Sequence, residues 1–68
     1  MKIFCKNTNE YVPVNGGESL YDIYQRLKDS IGFTPICARV NNKTEALSYP
    51  VFGPKMVEFL DRNNASGL

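Results

Sequence analysis

The chain has 68 residues, 43% of them hydrophobic, which suits one domain with one modest core, because a chain this short buries only about 60% of the surface its unfolded form exposes. Eight Lys and Arg against seven Asp and Glu leave a formal net charge of +1, so there is no global field to gather nucleic acid or anionic membrane, and any such binding must be local. Histidine is absent, which removes the usual general base near neutral pH and the commonest metal ligand; no catalysis is expected from this chain alone.

From Met1 to Lys6 apolar residues fall at 1, 3 and 5 and lysines at 2 and 6, a period of two that predicts a strand with one face in a core and Phe4 on the other. Asn7-Thr8-Asn9-Glu10 is rich in turn formers and Tyr11-Val12-Pro13-Val14 resumes a β-prone run, which predicts a hairpin. Pro13 has no N–H to donate, so this second strand belongs at a sheet edge.

Asn15-Gly16-Gly17 closes the hairpin, and Ser19 with Asp22 three residues on nearly matches a capping box. Leu20, Ile23, Tyr24, Leu27 and Ile31 then recur at helical spacing, with Leu27 at the middle of the stripe. Asp22 and Arg26 at i, i+4 read as a pair decorating the solvated side. Gly32 is the natural residue to end the helix in the left-handed region, and Pro35 prevents its continuation. The Gly16-Gly17 pair before a helix invites a phosphate-loop reading, but the Lys-Ser/Thr of a P-loop is missing, and a plain strand-to-helix turn is expected.

Ile36 to Val40 predicts a third strand with 36, 38 and 40 inward. Asn41-Asn42 suits a tight primed turn, because asparagine tolerates the left-handed region, and Lys43 to Leu47 returns as a short fourth strand. Tyr49 to Pro54 reads as a punctuated connector, and Met56-Val57-Glu58-Phe59-Leu60 as a fifth strand apolar enough to be central. The domain is expected over 1–61, with 62–68 a linker or chain end.

This order predicts an α+β fold of β-grasp type, a mixed five-stranded sheet with one helix packed on one face. Met1-Lys2-Ile3-Phe4-Cys5-Lys6 resembles the opening strand of ubiquitin. Gly17-Glu18-Ser19-Leu20-Tyr21-Asp22-Ile23, Ala38-Arg39-Val40-Asn41-Asn42, Leu47-Ser48-Tyr49-Pro50-Val51 and Val57-Glu58-Phe59-Leu60, in that order, resemble a TGS domain over nearly the whole chain. Where that family usually has glycine after Val-Asn, Asn42 stands here. The resemblance implies a non-catalytic regulatory or interaction module near the N-terminus of a larger nucleotide-handling enzyme. Such domains occur in threonyl-tRNA synthetases, some GTPases, alarmone synthetase/hydrolases and bacterial uridine kinase-like proteins, the last being the nearest match. ATP and magnesium would then belong to a downstream kinase domain, with no cofactor in this chain.

Cys5 and Cys37 are too few for a four-cysteine metal site or a disulfide scaffold. Cys5 is expected as a small core hydrophobe and Cys37 as outward. The opening residues lack the apolar run of a signal peptide, and no stretch approaches the roughly 20 apolar residues of a membrane span. A cytoplasmic domain without membrane contact is expected. The triplets Asn42-Lys43-Thr44 and Asn64-Ala65-Ser66 match the glycosylation sequon, which without such a leader reads as chance.

One helix cannot cover both faces of a sheet, so some of Phe4, Tyr11, Tyr21, Phe33, Tyr49 and Phe52 must lie on the uncovered side or in loops. Strand alternation directs Phe4 and Arg39 to that side with Lys2, Lys6 and Cys37 beside them, and these five form the candidate partner surface. Its occupants by this reading are other domains of the parent polypeptide, a second copy in a weak homodimer, or single-stranded RNA stacked on aromatic and cationic side chains. A sulfur carrier or ubiquitin-like modifier would end in Gly-Gly, whereas this sequence ends Ser66-Gly67-Leu68, and a β-grasp ferredoxin would need four cysteines.

Overall fold

The computed structural model describes residues 1–64; the rest of the expected linker, 65–68, lies outside the described residues. Strands β1 (Lys2–Cys5) and β2 (Glu10–Pro13) form the first hairpin, followed by a two-residue strand β3 (Glu18–Ser19) and helix α1 (Leu20–Ile31). Strands β4 (Cys37–Val40) and β5 (Lys43–Glu45) form a second hairpin, a two-residue β6 (Pro50–Val51) follows, and β7 (Met56–Leu60) closes the domain. The main sheet has the order β2-β1-β7-β4-β5, with β1 and β7 parallel and the other pairs antiparallel. With one helix packed on one face, this is a small α+β domain of β-grasp type.

Local chemistry explains the boundaries. Ser19 Oγ accepts from the Asp22 N–H at 3.1 Å and so caps α1. Gly32, at φ 80°, ends the helix by donating its N–H to the Lys28 carbonyl. Asn41 and Asn42 take φ 47° and 72°, the two left-handed residues of a type I′ hairpin turn. Asn42 thus adopts the conformation that a glycine would otherwise supply.

The helix lays Leu20, Ile23 and Tyr24 on the sheet, where they meet Ile3, Cys5, Val12, Ala38, Val40, Val57 and Phe59 in one buried cluster. Tyr24 keeps its hydroxyl satisfied by donating to the Phe33 carbonyl at 3.1 Å, while its ring lies 5.9 Å from that of Phe59. Leu27 at the middle of the stripe and Ile31 at its end are only partly buried, so the anchor is Ile23, one turn nearer the capped end.

Three expectations are corrected. The connector 49–54 contains β6, which pairs with β3 in a small second sheet, Glu18 opposite Val51 and Ser19 opposite Pro50. Ile36 is 51% exposed, because the strand begins at Cys37 and Ile36 sits at the rim, one step beyond the core pair Ala38–Phe59. Arg26 does not pair with Asp22. It bonds the Glu18 carboxylate, and its Nη2 donates to the Pro13 carbonyl at 2.8 Å.

That last contact protects an edge. Val14 donates to the Met1 carbonyl at 2.9 Å, so in the antiparallel alternation Pro13 turns its carbonyl away from β1. Pro13 has no N–H, and Arg26 occupies the carbonyl, which blunts the exposed side of β2 against further strand pairing.

Candidate functional site: the uncovered sheet face

Register places the residues of the face opposite the helix. Phe4 stands beside Tyr11 on β2 and Met56 on β7. Arg39 stands between Glu58 on β7 and Thr44 on β5, and Cys37 beside Leu60. Lys2 precedes Phe4 on the same side of β1. Lys6 just follows the strand, its N–H donating to the Val57 carbonyl at 2.8 Å, which continues the pairing and brings Lys6 level with Glu58.

The face therefore has an apolar row and a charged row. In the apolar row the rings of Phe4 and Tyr11 meet edge to face, centroids 5.1 Å apart at 69°, a favoured aromatic geometry. Tyr11 is 70% exposed and Met56 48% exposed, while Phe4 between them is half-buried. In the charged row Arg39 Nη1 lies 3.4 Å from Glu58 Oε1, both side chains partly exposed. A pair in this setting contributes about 0.2–1 kcal/mol and leaves Arg39 partly committed.

Of the five residues expected here, the structure brings Lys2, Phe4, Lys6 and Arg39 onto one accessible face. Cys37 shares the face by register but is 3% exposed, packed with Leu60, so it offers no contact surface. The small thiol is covered by its larger neighbours. Burial raises its pKa above the ordinary thiol value, and the nearby Arg39 cation partly opposes that rise. Tyr11 and Met56 were missing from the expected surface. For Tyr11 the signal was the register of the first hairpin, which sets it opposite Phe4; Met56 is brought beside Phe4 by a parallel pairing between chain segments far apart.

No group of three or more His, Cys, Asp or Glu that could hold a metal ion occurs among the described residues. No helix among them is long and apolar enough to cross a membrane. An open groove bounded by Met1, Pro13, Val14, Asn15 and Arg26 has its one guanidinium already engaged by Glu18 and Pro13. A scan against protein-family models and a search of curated proteins return no match to this chain.

Proposed function

We propose that the chain is a non-catalytic interaction module of TGS-like β-grasp type, and that the uncovered sheet face is its docking surface. One observation carries this reading: the row Tyr11, Phe4 and Met56 presents aromatic and thioether surface outside the core, on the face that α1 leaves bare. Contiguous exposed apolar side chains of this kind mark partner surfaces. The absence of histidine supports a binding role over a catalytic one. The parent is a larger nucleotide-handling enzyme, a uridine kinase-like protein being first choice, in which ATP and magnesium serve another domain.

Chemical-shift mapping of the isotope-labelled domain, titrated with the remainder of the parent polypeptide and separately with single-stranded RNA, tests the reading. Perturbation of Phe4, Tyr11 and Met56 by the former, abolished by Phe4→Ser with the fold retained, is the expected result. Perturbations restricted to the Asn41-Asn42 turn or to the exposed side of α1 would place the contact on another surface. ATP with uridine should yield no phosphorylated product beyond the buffer control.

A further inference from the structure

The charges bordering the apolar row narrow the chemistry of the occupant. Lys2 and Lys6 flank Phe4 along one strand and its continuation, on the same side, with Cα atoms about 13 Å apart at the usual strand rise. Both are exposed, and among the described residues neither lies within ion-pair distance of a carboxylate. The one carboxylate that register places among them, Glu58, is engaged by Arg39. Lys2, Lys6 and Arg39 against Glu58 give this face a net charge of +2, in a chain whose total is +1. The rest of the molecule is therefore net negative, and the cationic surplus is concentrated around the exposed apolar row.

Resting on the docking reading above, we infer that this face receives an amphipathic helix whose apolar ridge is flanked by acidic side chains. A helix is favoured because a segment lying flat on a sheet face finds no main-chain partners there, and a helix supplies its own hydrogen bonds. Aligned along β1, it covers the distance between the two lysines in about eight or nine residues at 1.5 Å each. Flexible lysine stems bring acids at i and i+7 within reach, with apolar residues at i+3 and i+4 resting on Phe4, Tyr11 and Met56. Nucleic acid fits less well. Phe4 and Tyr11 turn an edge and a face to each other and so do not offer two parallel stacking platforms, and the Glu58 carboxylate on this face would repel phosphates.

The probe is a helical peptide of about sixteen residues with Glu at i and i+7 and Leu at i+3 and i+4, beside the same peptide with Lys at the acidic positions and a single-stranded RNA oligomer. The expected result is saturable shifts at Phe4, Tyr11 and Met56 with the acidic peptide and much weaker binding of the other two. The double variant Lys2→Glu, Lys6→Glu should lose at least about tenfold in affinity for the acidic peptide and gain affinity for the Lys peptide, with unchanged shift dispersion showing that it folds. Equal binding of both peptides, tighter binding of RNA, or no shifts with the acidic peptide at millimolar concentration would overturn the inference. Should the remainder of the parent perturb Phe4 as strongly in the double variant as in the parent sequence, the docking reading stands and the acidic-helix inference fails.

Discussion

The side-chain amide of Asn7 stands in for a peptide group opposite Phe59. Its Nδ2 donates to the Phe59 carbonyl at 3.0 Å and its Oδ1 accepts the Phe59 N–H at 2.7 Å, across 52 residues of sequence. β1 ends at Cys5, yet the parallel pairing with β7 continues through this one amide. The chain can thus turn into the first hairpin without leaving the central strand unpaired.

Asn7→Ala should therefore cost about 1–3 kcal/mol, since it leaves two backbone groups of a buried residue without partners. Chemical denaturation measures the loss. An unchanged midpoint would show that water replaces the amide.

Beside it, the Thr8 hydroxyl is buried with no hydrogen-bond partner, and burying such a group unpaired opposes folding. Thr8→Val keeps the branched shape and removes the hydroxyl. It is expected to stabilise the domain by up to about 1 kcal/mol, read as a rise in Tm; a fall would mean that the hydroxyl is satisfied in solution.

In α1 the cost of truncation should track depth. Ile23 is fully buried, and Ile23→Ala should cost about 2–5 kcal/mol through lost burial and a residual cavity. Leu27→Ala, at a partly exposed site, should cost less than half as much, because less apolar area leaves water there. Denaturation of the two variants side by side gives the ranking.

How much of this was legible in the sequence depends on the range of each interaction. The Ser19 cap, the Gly32 terminus and the Asn41-Asn42 turn were readable because each is decided within a few residues by backbone conformation. Edge placement of β2 followed from the missing N–H of Pro13. The central position of β7 followed from its apolar run. What escaped were features set by distant partners: β3 and β6, two residues each and invisible to any periodicity; the Arg26 contact with Pro13, which crosses from helix to edge strand; and the burial of Cys37 under neighbours that its own alternation does not reveal.

Gly17 holds φ 86° at the entry to β3, and a Cβ there would meet the Phe52 ring at 3.3 Å. Gly17→Ala should cost about 1–2 kcal/mol in left-handed backbone strain and displace Phe52, an exposed ring whose shift in the NMR spectrum reports the movement. An aromatic spectrum identical to that of the parent would show that the ring does not rest on this glycine.

The Cys37 thiol, with its pKa raised mainly by burial and lowered in part by Arg39, should be alkylated by iodoacetamide more slowly at pH 8 than the same residue in the denatured chain. Its folded value lies above the unfolded one, so the native state holds the proton longer. The associated stability is complete below the unfolded thiol pKa and declines as pH rises toward the folded value. Peptide-resolved mass spectrometry checks the alkylation rates, which equal native and denatured values would contradict, and chemical denaturation at increasing pH checks the stability, which an unchanged midpoint would contradict.

The parallel contact between β1 and β7 also sets a schedule for synthesis. The strand at the middle of the sheet is the last one translated, so on the ribosome the first hairpin and α1 emerge with no centre to pack against. Until residue 60 clears the exit tunnel, Ile3, Val12 and Ile23 share an incomplete core, and the nascent chain holds only its local turns and helix. Final assembly then requires closing nearly the full length of the chain in one step, the slow kind of contact formation for a domain this small.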